Sequence, residues 1–110
     1  MIDEEKKYCC YCGRWIVYPL VLTNEHLVPV SKGGNNSPAN KRPCCSKCNG
    51  WRGNVSLHNF KGRIEKILKN KNIKGGHYNR IDLQTMVENI DYLIHYIQTS
   101  KGRLKKQKQS

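Results

Sequence analysis

Two Cys-x-x-Cys pairs, Cys9/Cys12 and Cys45/Cys48, constrain this chain more than anything else in it. A tight turn in each pair aims two sulfurs at one point. Together they offer four thiolates, the closed tetrahedral set of a structural zinc site. The pairs stand 32 residues apart, further than in a compact finger, so a substantial unit has to be built between them. Zinc binding supplies roughly 10–16 kcal/mol of apparent free energy in small domains. That weighs heavily in a chain of 110 residues of which 37% are hydrophobic. The alternatives are disulfides or free thiols. The opening residues, Met1-Ile2-Asp3-Glu4-Glu5, are acidic and unlike a signal peptide. We therefore expect a cytoplasmic, reducing setting, in which paired cysteines hold metal more often than each other. Cys10 and Cys44 each adjoin an expected ligand and could take its place, so the register of the four ligands stays open at this level.

The charge points to a polyanion. Twenty basic and eight acidic side chains give a net charge of +12. Residues 101–110 carry five of the bases and no acid, which leaves +7 on residues 1–100. The excess is thus spread through the folded part, and it favours phosphates by counterion release. No apolar run is long enough to cross a bilayer, so no membrane partner is expected.

Along the chain, residues 1–8 read as a flexible N-terminus. Trp15 to Val30 is rich in strand formers. Pro19 divides it, which predicts two short extended pieces. Residues 31–38 are a loop by composition, and 39–44 a short returning strand. A helix should start at Cys45, where Cys45, Cys48, Asn49 and Arg52 recur at helical spacing. Ser56 is a good N-cap for a helix with an apolar stripe at Leu57, Phe60, Ile64, Ile67 and Leu68. Residues 70–79 read as a linker. A last helix is expected from about Ile81 to Thr99, with Leu83, Met86, Val87, Ile90, Leu93, Ile94 and Ile97 buried. Residues 100–110 read as a basic tail without core-forming residues. The division expected is 9–54 as the core, 55–99 as a helical extension packed on it, and 100–110 as the tail.

Between the cysteine pairs stand Glu25-His26, Pro29, Gly33-Gly34 and Asn40, and the second pair is followed at once by Asn49 and then Arg52. In this order and spacing the chain resembles the HNH (His-Asn-His) endonuclease family over residues 9–54. The resemblance implies an α+β fold, a small zinc-bound ββα-metal core, here with two additional C-terminal helices. It also implies a divalent-metal-dependent endonuclease acting on DNA. Carried over position by position, His26 is the general base and Glu25 and Asn49 are ligands of a catalytic Mg²⁺ or Mn²⁺. Asn40 braces the loop and orients His26, and Arg52 contacts a phosphate, with Lys32 and Lys47 as further nucleic-acid contacts. Where Glu25 stands the family more often has Asp, and the last position of the triad is Asn49.

The chemistry agrees with that assignment. A neutral imidazole accepts a proton at physiological pH. One carboxylate and one carboxamide are a sparse set of hard oxygens, suited to Mg²⁺ or Mn²⁺ and leaving positions for phosphate and water. Two metals with separate roles are therefore expected: zinc on sulfur for structure, magnesium or manganese on oxygen for reaction. The competing functions are a non-catalytic zinc-ribbon nucleic-acid binder and a nuclease subunit of a phage packaging complex. A homodimer is a further possible partner state, and the resemblance suggests a phage or mobile-element origin. His58, His77 and His95 have no comparable context. Trp51 is expected to pack on the second cysteine pair and not to stack on a base.

Overall fold

The structure is a computed structural model that describes residues 7–70 and 78–105, with Lys101 described by its backbone only. A two-stranded antiparallel ribbon forms its centre: β1 (Leu22–His26) and β2 (Lys41–Cys45). The register pairs Leu22 with Cys45, Glu25 with Arg42 and His26 with Lys41. β2 runs directly into α1 (Ser46–Arg52). Cys45 caps that helix, its sulfur accepting from the Cys48 amide. The resulting β-β-α unit is the α+β core that the resemblance implied, and the second cysteine pair sits at the strand-to-helix junction.

The expected strand piece over Trp15–Tyr18 is absent. Trp15 joins Tyr8 in an isolated bridge, and a turn containing the cis Tyr18–Pro19 bond follows. Proline lacks the N–H a ladder needs, and the regular strand begins only at Leu22. The loop between the strands carries two short 3-10 turns, Val30–Lys32 and Pro38–Asn40. Its two glycines answer different needs. Gly33 ends the first turn in the left-handed region at φ 90°. Gly34 lies against the Val28 carbonyl, where an added Cβ would stand 1.7 Å from the oxygen.

Two long helices close the core. α2 (Leu57–Lys69) is capped by Ser56, as its sequence predicts, and buries Leu57, Phe60 and Ile64. α3 (Arg80–Thr99) starts at a capping box of Asn79 and Asp82 and buries Leu83, Met86, Ile90 and Leu93. Val87, Ile94 and Ile97 are partly buried against the same cluster. Tyr11, inside the first cysteine pair, stands edge-on to Phe60 with centroids 5.3 Å apart. Its carbonyl accepts from Asn89 of α3 at 2.7 Å. The helices are therefore tied to the cysteine unit itself.

The chain after Thr99 departs from the expected tail. A short α4 (Lys101–Leu104) folds back, and Leu104 is fully buried. Lys105 bridges to Gly34. One apolar residue with free carbonyls around it suffices to dock the segment, a signal too small to register beside five basic residues. Residues 1–6, the linker 71–77 with His77, and 106–110 lie outside the described residues, so the expectations placed there stand as stated. Among the described residues no helix is long and apolar enough to cross a membrane.

Candidate functional site

The sulfurs of Cys9, Cys12, Cys45 and Cys48 all lie within 4.8 Å of one another, and all four residues are buried. A Zn–S bond of about 2.3 Å sets sulfurs roughly 3.8 Å apart in a tetrahedron, so the cluster is positioned to bind a metal. The register question is also answered geometrically. Cys44 approaches only the edge of the group, 3.9 Å from Cys9, and Cys10 is not among the four. Electrostatics asks for a cation here. The Cys9 thiol is pulled far below its ordinary value by hydrogen bonds from Cys10, Cys12, Cys44 and Cys48. The Cys48 thiol is pushed far up by hydrogen bonding with Cys12 and Cys9 and by burial. One negative charge is tolerated, and further ionisation needs positive charge in the cluster. The Tyr78 hydroxyl lies 2.9 Å from Cys48 Sγ, and Trp51 stacks on the Tyr78 ring at 5.2 Å. Trp51 also meets Phe60 edge-on, so it packs as expected.

Glu25, His26 and Asn49 line one open pocket of about 410 Å³, together with Asn24, Pro29, Val30, Ser31, Gly53 and Asn54. The end of β1 supplies the first two and α1 supplies the third. Glu25 is 6% exposed. Its Oε2 accepts from the Tyr11 hydroxyl at 2.8 Å and from Arg52 Nη1 at 3.2 Å. Burial pushes the Tyr11 hydroxyl well above its ordinary pKa, so it stays a neutral donor. The other carboxylate oxygen has no hydrogen-bond partner among the described residues.

The orientation of Asn49 follows from donor counting. The Thr23 hydroxyl donates to the Cys44 carbonyl at 2.7 Å. Its only proton is then spent, so Thr23 Oγ1 can only accept, and it accepts from Asn49 Nδ2 at 2.8 Å. The Asn49 carboxamide is thereby turned so that Oδ1 has no hydrogen-bond partner among the described residues. The pocket thus holds one carboxylate oxygen and one carboxamide oxygen without partners among the described residues, a donor set that fits Mg²⁺ or Mn²⁺ better than a soft metal.

Two expected roles need correction. Arg52 does not reach a phosphate. It is 1% exposed and each of its three guanidinium nitrogens is hydrogen-bonded inside. Nε donates to the Val55 carbonyl at 2.8 Å, and Nη2 to the Leu27 carbonyl at 3.0 Å. Nη1 reaches the Tyr11 hydroxyl (3.1 Å), Glu25 Oε2 (3.2 Å) and the His26 carbonyl (2.9 Å). A guanidinium satisfied on every side is a buried clamp on the Glu25–Leu27 backbone. Asn40 is buried and hydrogen-bonded across the loop. Its Oδ1 accepts from Val28 N, and its Nδ2 donates to the carbonyls of Val28 and Asn35. It does not touch the imidazole. Asn36 does: its Oδ1 lies 2.7 Å from His26 Nε2. Asn36 is the site residue that sequence reading missed. An Asn in a Gly-Asn-rich loop reads as a turn former, and only the folded loop brings it across to His26.

The loop owes that shape to the chain's far end. On one side of Asn36, Asn35 donates to the carbonyls of Arg103 (2.7 Å) and Lys105 (3.3 Å), and its amide donates to Leu104. On the other, the Ser37 hydroxyl donates to Arg103 at 3.0 Å. Lys32 is exposed and lines a neighbouring cleft with His58 and Lys105. Lys47 is exposed on α1, and His95 is exposed on α3.

A family model for HNH endonucleases matches residues 9–62. Over this segment the chain is similar to the HNH endonuclease family. The HNH match spans both cysteine pairs, the Glu25–His26–Asn49 pocket and the first turn of α2. No curated protein and no solved structure matches the chain.

Proposed function

We propose that this protein is an endonuclease that hydrolyses DNA phosphodiester bonds with the help of a divalent cation. The observation that carries the reading is the convergence of Glu25, His26 and Asn49 on one open pocket within the HNH segment. Zinc on the four cysteines would tie the start of the chain to the β2–α1 junction. Glu25 and Asn49 would hold a Mg²⁺ or Mn²⁺ ion, which when bound supplies charge stabilisation at the leaving oxygen.

His26 supplies the base. Asn36 Oδ1 can only accept, so the Nε2 it faces carries the proton and Nδ1 is left basic. A water oxygen attacks phosphorus, its proton passes to Nδ1, and the bond from phosphorus to the departing sugar oxygen breaks. Tyr11 and Arg52 occupy Glu25 Oε2 and so restrict the carboxylate to one geometry. The net charge of +12 favours the polyanionic substrate.

The test is a supercoiled-plasmid assay with Mg²⁺ or Mn²⁺, comparing wild type, His26→Ala and Cys48→Ser. His26→Ala should keep zinc and DNA binding and lose cutting, while Cys48→Ser should lose the fold. Equal cutting by wild type and His26→Ala would remove the proposed base.

A further inference from the structure

With Arg52 buried, the phosphate contacts have to be sought elsewhere. The register of the ribbon supplies them. Lys41 and Arg42 stand directly across the ladder from His26 and Glu25. They line a groove of about 300 Å³ together with Lys7, Asn24 and Asn36. The groove adjoins the Glu25–His26 pocket, because Asn24 borders both. Asn36, on its wall, is also the residue that faces the imidazole. Among the described residues no acidic side chain lines it.

Arg42 is held ready for an anion. Its Nη1 donates to the carbonyls of Ala39 (3.1 Å) and Lys41 (2.8 Å). Its guanidinium lies 4.7 Å above the centre of the Tyr96 ring. Tyr96 is fixed in turn, its hydroxyl donating to the Ala39 carbonyl at 3.1 Å. Nε and Nη2 have no hydrogen-bond partner among the described residues. A planar fork with its position fixed and two donors unspent suits a phosphate, because little side-chain entropy is lost on contact. Lys41 makes no ion pair among the described residues and adds a second positive charge to the lining of the groove.

We propose that this groove receives the DNA backbone to one side of the scissile phosphate, with Arg42 as a pre-ordered phosphate fork and Lys41 next to it. The assignment rests on the endonuclease reading. It gives α3 a task beyond packing, since Tyr96 is the platform that orders Arg42. A strand lying in the groove would pass Asn36 before its next phosphate reaches His26.

The test separates the two readings. Binding of zinc-loaded protein to a short labelled duplex is measured by fluorescence anisotropy between about 50 and 200 mM salt. The His26→Ala background is used, so that cutting plays no part. Arg42→Gln is compared with Lys69→Gln, which removes the same charge from an exposed position at the end of α2. Zinc content confirms that each variant is folded. Loss of one phosphate contact should weaken binding about tenfold and reduce the slope of log K against log salt by about 0.9 for Arg42→Gln. Lys69→Gln should do neither. Arg42→Lys keeps the charge and loses the fork, and should keep the slope while binding about threefold more weakly. Unchanged binding by both Arg42 variants would overturn the groove. Equal shifts in Arg42→Gln and Lys69→Gln would overturn it too, by assigning the effect to net charge. No DNA binding by the parent protein would overturn the endonuclease reading and the groove with it.

Discussion

Replacing Arg52 with methionine separates a clamp from a phosphate contact. The substitution keeps an unbranched apolar stem but removes the guanidinium. Five hydrogen bonds go: those to Val55, Tyr11, Glu25, His26 and Leu27. The carbonyls of His26 and Leu27 lose a charged donor, and Glu25 keeps only Tyr11. Breaking a buried ion pair from one side costs about 3–5 kcal/mol, chiefly because the remaining charge is left uncompensated. Glu25 is nine-tenths buried, so little solvent screening reduces that cost. A domain of this size loses roughly 4–8 °C of melting temperature per kcal/mol, so the midpoint should fall by at least ~12 °C. The assay is thermal unfolding of zinc-saturated protein, with zinc content measured alongside. An exposed phosphate-binding arginine would behave in the opposite way. Its loss would shift stability by less than about 0.5 kcal/mol and reduce the salt slope of DNA binding by about 0.9. An unchanged midpoint together with a reduced slope would refute the clamp.

Two further outcomes follow from the site. Thr23→Val removes the acceptor that turns the Asn49 carboxamide, so Mn²⁺ should bind the zinc-loaded protein about fivefold more weakly by calorimetry, as expected from one hydrogen bond. Thr23→Ser should bind as wild type does, and equal binding by Thr23→Val would show that Asn49 is oriented by something else. For the cysteine cluster, the Cys48 thiol is raised in the metal-free state and holds its proton at neutral pH. Metal entry must displace that proton, so zinc affinity should rise with pH and the zinc-dependent stability should be lost on acidification. A chelator competition run across neutral pH tests this, and an affinity independent of pH would contradict it.

The parts legible in the sequence were those set by local spacing. The cysteine pairs, the Ser56 cap and the apolar stripes of α2 and α3 each depend on residues a turn or two apart. The Gly33–Gly34 signal was also readable, since one position needs a left-handed backbone and the next admits no Cβ. What stayed hidden depends on distant partners. Arg52 looked like a surface cation because arginine is seldom fully buried. Nothing in its neighbourhood shows that Tyr11, Glu25 and the His26 carbonyl converge on it. Asn36 and Asn40 are alike in composition, and only the folded loop decides which one meets the imidazole. Leu104 is a single apolar residue in a basic stretch, and its burial could not be read from any period.

The seam between Gly34–Ser37 and Arg103–Lys105 gives the far end of the chain a mechanical hold on His26. The neighbours of Asn36 on both sides hang from main-chain oxygens made nearly seventy residues later. During synthesis the imidazole would gain its partner only after α4 has emerged and docked. A tag fused just beyond Lys105 would tug on the same seam, whereas one placed ahead of Cys9 would leave it alone. Preparations labelled at opposite ends should therefore not be treated as interchangeable.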